Sequence, residues 1–344
     1  MWEERAHRAR REIAALAATG LGISELHSAA MEVVARHVGT DLTCWATIDP
    51  ETLVISTMTN GMTRIPPEYE PRLAESEYAA DQPHSFAGLA QRGSTLAKLS
   101  DLPERDRQRS ARLQNVWRPL GVDQELRLMF LADGTCWGAA GLVRSGGDFT
   151  DRETDYLIAL APAIATATRL AVRSEAQDHP ATGQPAIVVI GPDGRQRAAT
   201  PAAQEWRDRL DEIAPGRFTV MMDVMATGAR ASASGGFSAR LRDARGSWAA
   251  LSASPLVGSG AEEVAVFIEP VSGDQLVGLL LAAYGLTPRE REVCHEVMAG
   301  RSTADIAGQL FISANTVQDH LKSIFAKVAV RSRGELVARL RPAG

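Results

Sequence analysis

The stretch SANTVQDHLKSIFAKV, residues 313–328, holds two of the chain's three lysines, Lys322 and Lys327. Arginine supplies the rest of the positive charge. Val317, Leu321, Ile324, Phe325 and Val328 recur at the spacing that places them on one narrow face of a helix advancing about 100° per residue. The opposite face holds Asn315, Asp319, Lys322, Ser323 and Ala326, with Thr316 and Gln318 on its flanks. The pattern predicts a short amphipathic helix with one side packed and the other lined by small, amide and cationic side chains.

The surrounding sequence makes this helix one of four. Thr287-Pro288-Arg289-Glu290 is a capping box with proline at the first helical position, and Ser302/Asp305, Ser313/Thr316 and Ser332/Glu335 repeat its spacing. The pair at 303–328 fits a helix-turn-helix. Ile306 and Leu310 are apolar on its first helix, Ala307 is small where a second helix must cross closely, and Phe311-Ile312 make the turn. The polar side of the second helix suits a major groove about 12 Å wide. Lys322 would reach a guanine or a phosphate, Gln318 an adenine, and Lys327 the DNA backbone. Asp319 weighs against this, because a carboxylate is repelled by phosphate unless it accepts from a cytosine amine. His320 sits at the edge of the apolar face and reads as a packing residue. On periodicity alone, a solvated polar face is the plainer reading.

The residues also carry a resemblance. LTPREREVCHEVMAGRSTADIAGQLFISANTVQDHLKSIFAKVAVRSRGELV, 286–337, resembles the LuxR-type helix-turn-helix domain of bacterial transcription regulators. The marks are Leu286 through Val293, Gly300, Ile306-Ala307, Leu310, Ile312-Ser313, Thr316-Val317, His320, Ile324, Lys327, Val330 and Arg333. The resemblance implies that 313–328 is the recognition helix and that a last helix from about 333 contributes to dimerisation on DNA. It implies double-stranded DNA as partner, a homodimer, and a contact set of Ser313, Asn315, Thr316, Gln318, Asp319, Lys322, Lys327, Arg331 and Arg333. Gln318 departs from the family, which often has a cation there, so the base preference of relatives does not transfer.

Composition frames this module. The chain has 344 residues, 45% hydrophobic and 23% charged, with a net charge of −5, enough for two or three packed domains. From Thr287 onward there are nine Lys/Arg against six Asp/Glu, a net of +3, so the preceding 286 residues carry −8. A basic tail on an acidic body points to a local contact with a polyanion. Cys44, Cys136 and Cys294 are scattered and odd in number, which reads as reduced cytosolic thiols. The first 20 residues hold three acidic groups and no apolar core, so no signal peptide is expected, and the apolar stretch 276–286 is short for a bilayer. A cytoplasmic protein, nucleoid-associated when bound to DNA and without a membrane partner, is the expectation.

Ahead of the tail the pattern is α+β. Helices at 2–19 and 24–38 precede strands at 42–48 and 53–59. Residues 60–122 read as helix and loop, strands at 124–132 and 135–143 meet at Asp133-Gly134, and a helix capped by Thr150 and Glu153 runs to about Arg173. A polar linker follows at 174–185. Then come a strand, a Pro-Asp-Gly turn, a second strand, a helix capped by Thr200 with Pro201 in its first turn, a hairpin at 237–257 turning at 243–246, and a last strand at 263–271. Residues 10–173 resemble a GAF domain, best in FTDRETDYLIALAPAIATATRLA. Residues 185–271 resemble a small PAS-type domain, in IVVIGPDGRQRAATPAAQEW and the closing strands. The expected organisation is a GAF-like sensor domain at 1–175, a PAS-like domain at 185–271, a helical connector at 272–286 and the all-α four-helix module at 287–344.

Both sensor resemblances allow a small-molecule ligand, of unknown identity, against a sheet. Trp45, Met129 and Trp137 are the candidate pocket residues of the first domain, although each taken singly reads as core. Cys44 and Cys136 are more simply small hydrophobes than chromophore anchors. No metal spacing, phosphate-cradling loop or nucleophile elbow is found, so no metal, cofactor or enzyme activity is expected. The expected function is a sequence-specific transcriptional regulator controlled through its N-terminal domains. The competing reading is an interaction protein whose tail binds RNA polymerase or another protein.

Overall fold

The computed structural model describes residues 2–78, 82–178, 183–232, 235–243, 246–258, 262–271 and 273–340. The chain opens with α1 (Trp2–Ala17) and α2 (Ile23–Ala35), followed by β1 (Leu42–Ile48) and β2 (Ile55–Asn60). Next come α3 (Glu70–Tyr78), α4 (Phe86–Gln91), β3 (Leu96–Lys98), α5 (Glu104–Arg109), β4 (Gln124–Ala132), β5 (Thr135–Arg144) and α6 (Asp151–Asp178). The strands form one antiparallel sheet in the order β2-β1-β5-β4-β3. Asp133 and Gly134 join β4 to β5 with φ of 51° and 73°, the left-handed pair that a two-residue hairpin requires. Gly138 is required for a different reason: a Cβ there would lie 2.4 Å from the Ala46 carbonyl oxygen on the neighbouring strand.

Alternation along β4 sorts the two faces of this sheet. Leu126, Leu128 and Phe130 join Trp45, Trp137 and the apolar sides of α1, α2 and α6. Glu125, Arg127 and Met129 point the other way. His27 is fully buried on the helix side, 5.6 Å from the Trp45 ring and 6.0 Å from Phe130, with Nε2 3.1 Å from Thr168 Oγ1. Burial pushes its imidazole down to about 3.

Two expectations for this unit change. The short strand β3 pairs with β4 inside the segment read as helix and loop. Helix α6 runs past Arg173 to Asp178, because polar residues read as linker find partners: Glu175 Oε1 accepts from the Ile23 amide at 2.8 Å, and Gln177 Nε2 donates to the Tyr284 hydroxyl at 2.8 Å. Residues 179–182 of the expected linker lie outside the described residues. Helix α6 is also long and apolar enough to cross a membrane by length and composition, unlike the 276–286 stretch singled out from sequence. More than half of its most apolar window is buried inside the fold.

The second unit holds β6 (Ala186–Ile190), β7 (Gln196–Ala199), α7 (Ala202–Asp211), α8 (Arg217–Ala231), β8 (Phe237–Arg242), β9 (Trp248–Pro255) and β10 (Val264–Pro270). Its antiparallel order, β7-β6-β10-β9-β8, repeats the order of the first sheet. Helix α8 was not expected. Val220, Met221, Met222, Val224, Met225 and Ala226 are all buried, and Thr219, Asp223, Thr227 and Arg230 leave only a narrow polar stripe, a period the sequence reading passed over. Thr200 does not cap α7 with its hydroxyl. That oxygen accepts from the Ile187 amide at 3.0 Å, and the Thr200 carbonyl takes the Ala203 amide. At the 243–246 turn the Gly246 amide donates to the Asp243 carbonyl, and residues 244–245 lie outside the described residues.

Charged side chains tie the two units together. Arg240 on β8 donates to Asp49 at 2.6 and 3.1 Å and to Glu51 at 2.6 Å, and Asp49 is fully enclosed. Arg242 meets Glu175 of α6 at 3.0 Å. Helix α9 (Gly273–Ala283) then occupies the expected connector and packs on α6.

Removing one partner of the buried Arg240–Asp49 pair leaves a charge without its counterion. Arg240→Ala is expected to lower stability by ~3 kcal/mol, measured as a shift in the urea midpoint at constant slope. His27 gives a second expectation. Below pH 6.5 the unfolded chain takes up a proton that the folded chain refuses until about pH 3, so stability falls as pH drops through that window by up to ~1.4 kcal/mol per pH unit. Subtracting the profile of His27→Gln from that of the parent isolates this term.

Candidate nucleic-acid interface

The tail contains α10 (Pro288–Met298), α11 (Thr303–Gln309), α12 (Ala314–Val328) and α13 (Arg333–Leu340). Each begins at its expected cap. The Glu290 amide donates to Thr287 Oγ1 at 3.3 Å, Asp305 to Ser302 Oγ at 3.2 Å, Thr316 to Ser313 Oγ at 3.1 Å, and Glu335 to Ser332 Oγ at 3.1 Å. Phe311 turns the chain between α11 and α12 with φ of 54° and leaves its ring 94% exposed. Val317, Leu321, Ile324 and Val328 are buried against the other helices. Ser313, Asn315, Thr316, Gln318, Asp319, Lys322 and Ala326 are exposed on the far side.

Within that face the side chains differ in how far they are committed. Lys322 Nζ lies 3.3 Å from Asp319 Oδ1, with both side chains more than two-thirds exposed. Such a pair contributes well under ~1 kcal/mol, so phosphate can displace Asp319. Gln318 Nε2 donates to Thr303 Oγ1 at 3.3 Å. Lys327 has a partner that the sequence reading did not foresee. Its Nζ donates to Glu290 Oε2 at 2.7 Å, while Ser323 Oγ donates to Glu290 Oε1 at 2.6 Å. Glu290, 4% exposed, thereby joins α10 to α12. Burial alone would push its carboxyl up. The hydrogen bonds from Lys327, Ser323 and the Thr287 amide outweigh burial and hold it at about 2. Arg333 is likewise committed, donating to the Arg301 carbonyl at 2.8 Å and to Thr303 Oγ1 at 2.7 Å. Arg331 is exposed, and its backbone amide donates to Glu335 Oε2 at 2.8 Å.

Sequence reasoning found the caps and the exposed face but missed Glu290 and Thr303 as the residues that fix it. The Thr-Pro-Arg-Glu signature marked Glu290 as a capping residue only. Its second role needs α12 folded across α10.

Residues 285–340 match the family described as "Bacterial regulatory proteins, luxR family". Over 55 residues the chain is 40% identical to the spore germination protein GerE of Bacillus subtilis, covering 74% of that protein and 16% of this chain. The chain belongs to the LuxR family of bacterial regulatory proteins. It is also 45% identical over 53 residues to the CsgBAC operon transcriptional regulatory protein of Escherichia coli K12, and 52% identical over 54 residues to the monoamine regulon transcriptional regulator of Klebsiella aerogenes. Each of those matches spans 24% of the relative's length, with 15% and 16% of this chain. Among solved structures, the phycoerythrobilin-bound GAF domain of a cyanobacterial phytochrome is 12% identical at a TM-score of 0.34, over 51% of this chain and 98% of that one. The VqmA–ligand–DNA complex of Vibrio cholerae is 13% identical at 0.21, over 47% and 82%. Likeness at these scores transfers neither arrangement nor ligand.

The candidate pocket residues are not brought together. Trp45 and Trp137 lie on the helix side of the first sheet, Met129 lies on its other face, and all three are core, at most 1% exposed. A cavity of about 110 Å³ instead opens beside Met58, Leu73, Trp117 and Val143 of the first unit, and Arg217 and Met221 of α8 close it. Cys44 also lines it, and burial pushes its thiol up to about 11, away from nucleophilic thiolate. Burial likewise pushes Cys136 up to about 12.

Because the folded Glu290 carboxyl titrates below its ordinary 4.5, it adds stability above that value and loses it as pH falls from about 4.5 to about 2. Glu290→Gln is expected to cost on the order of 2 kcal/mol at pH 7 and to flatten that acid limb, measured by calorimetry across the pH range.

Proposed function

We propose that this chain is a sequence-specific DNA-binding transcriptional regulator that works as a homodimer and is controlled by a small molecule at its N-terminal sheet units. The observation that carries the reading is the exposed face of α12. It presents Asn315, Gln318, Asp319 and Lys322 from a helix whose opposite side is fully packed, inside the segment that matches the LuxR family. Such a helix enters the major groove with its N-terminal residues on base edges. Ser313 and Thr316 sit at that end, where helix amides and small hydroxyls suit a phosphate. Two copies would set their recognition helices ~34 Å apart on a two-fold site.

Each side chain then takes a role that follows from its commitments. Lys322 reads a guanine edge or holds a phosphate. Gln318 is steadied by Thr303 and offers its amide to an adenine. Asp319 accepts from a cytosine amine once Lys322 has turned to the DNA. Arg331 meets the backbone at the rim. Lys327 and Arg333 hold the helices in register and touch phosphate secondarily. We read the first unit as GAF-like, the second as PAS-like and the protein as cytoplasmic. The shared strand order of the two sheets supports related sensor units.

One observation favours a second reading, a tail that binds RNA polymerase or another protein. The Phe311 ring is almost wholly exposed at the helix-turn-helix corner, an apolar contact point no duplex needs.

Unbiased selection of duplexes by the purified chain, followed by gel-shift titrations at several salt concentrations, tests the proposal. Lys322→Ala is expected to weaken binding to the selected duplex by ~1–3 kcal/mol if it reads a base. Lys327→Ala is expected to lower the melting temperature while changing the salt slope by less than one released ion. The absence of any preferred duplex, with dimeric protein and at low salt, would refute the regulator reading. Salt-independent capture of polymerase that Phe311→Ser abolishes would favour the alternative.

A further inference from the structure

We propose that the cavity between the first sheet and α8 is a binding site for a small apolar monocarboxylate. Its carboxylate pairs with Arg217 of the second unit, and its body lies on walls supplied by the first. This names the ligand class for the small-molecule control proposed above and rests on that reading.

The argument starts from charge bookkeeping around the cavity. Three buried arginines line it or lie behind it, and two are compensated. Arg112 Nε donates to Glu125 at 2.9 Å, and Arg127 donates to Glu125 at 3.2 Å and to Glu77 at 2.6 Å. These two guanidiniums and two carboxylates neutralise one another. Arg217 is different. It is 7% exposed and lines the cavity, yet no carboxylate of the described residues lies within 4 Å of it. Its Nη2 donates to the carbonyls of Ser56 at 2.9 Å and Ile55 at 3.4 Å, and its Nε has no partner. Carbonyl dipoles hold the group in place but do not cancel its charge. An uncompensated buried cation is costly, and an anion supplied from outside removes that cost.

Other features set the rest of the ligand. Arg217 is the first residue of the 15-residue helix α8, whose Phe218 amide already donates to Asp211 Oδ1 at 2.8 Å, so the attraction for a further anion comes from the guanidinium and not from the helix end. Trp117 lines the cavity, and its indole Nε1 is buried without a partner. Ile55, Met58, Leu73, Val143 and Met221 make much of the remaining surface apolar, and Asn60, Thr63 and Tyr78 add polar groups to it. A cavity of about 110 Å³ is close to the ~150 Å³ that admits one benzene ring, so the body is one small ring or a short acyl chain. Three carboxylates also line the cavity: Glu77 and Glu125, which are paired with Arg112 and Arg127, and Glu70, whose Oε2 is unpartnered. Burial pushes its carboxyl up against the pull of Arg64, toward the protonated form that donates rather than repels.

The site exists only because the two units are docked. Gly216, with φ of 78°, turns the chain into α8 so closely to α3 that a Cβ there would lie 3.4 Å from Pro71. A ligand bound between them therefore strengthens that docking.

The test is thermal unfolding and titration calorimetry of the full chain with benzoate and hexanoate, set against benzamide and hexanamide. The expected result is saturable stabilisation by a carboxylate, at least tenfold weaker binding of the matching amide, and at least a tenfold loss of carboxylate affinity in Arg217→Met. The unliganded melting temperature of Arg217→Met is expected to equal or exceed that of the parent, because an unpaired buried charge has gone. No response of the parent to either carboxylate, equal binding of the amides, or undiminished affinity in Arg217→Met would overturn the proposal. If Arg217→Met fails to fold, Arg217→Lys and the carboxylate–amide contrast in the parent decide it. Gel shifts on the same preparations keep the two readings apart: duplex binding with no carboxylate effect sinks only the ligand, and carboxylate binding with no duplex sinks only the regulator.

Discussion

From Leu276 to Ala283 helix α9 carries no polar side chain, and much of the structure follows from the need to bury that stretch. Leu276, Val277, Leu279, Leu280, Leu281, Ala282 and Ala283 are all enclosed. Each large side chain would cost about 1.5–3 kcal/mol if returned to water. The surroundings that enclose them come from both ends of the chain: α6 of the first unit on one side, α10 and α13 of the tail on the other. The helix-turn-helix module is thus part of a core that runs from α1 to α13, with Gln177 and Tyr284 marking the seam. Any rearrangement that frees the tail must first find other cover for α9.

The sequence was legible where structure is decided locally. Four caps, the Asp133-Gly134 turn and the period of α12 each depend on residues within one or two turns of one another. The readings that the structure altered or extended needed partners far along the chain. Lys327 was read only for phosphate contact because Glu290, its partner in the fold, lies 37 residues away. The end of α6 looked like linker because its partners are Ile23, Arg242 and Tyr284. Helix α8 was passed over because its polar stripe of Thr219, Asp223, Thr227 and Arg230 is narrow, and Thr200 looked like a helix cap because the Ile187 amide that takes its hydroxyl lies on another strand. Trp45 and Met129 were grouped as a pocket from residue type alone, although they sit on opposite faces of one sheet.

The two tail lysines show how a single helix divides its work. Five residues apart, they point to different sides. Lys327 is drawn into an interhelical ion pair whose carboxylate is almost inaccessible to solvent. Lys322 meets only Asp319, in full contact with water, where attraction is weak and easily exchanged. A fixed cation maintains the angle between helices, and an uncommitted one is available to a polyanion. The geometry of the first is a condition for the usefulness of the second, because a recognition helix can present Lys322 correctly only if Glu290, Ser323 and Lys327 hold α12 against α10.

The same distinction between committed and uncommitted charge separates the arginines of the two sheet units. Arg127 and Arg240 each sit against two carboxylates, and Arg112 and Arg242 meet at least one. Folding takes these groups out of water and compensates them in the same step. For Arg217 the first half of that step is complete and the second is not. Its desolvation has already been met by the docking of α8 onto the first sheet, so an incoming carboxylate faces only its own. Preorganisation of this kind turns a modest ionic contact into a selective one. In the proposed site selectivity would extend to shape, since Leu73, Trp117 and Met221 line the same cavity as Arg217.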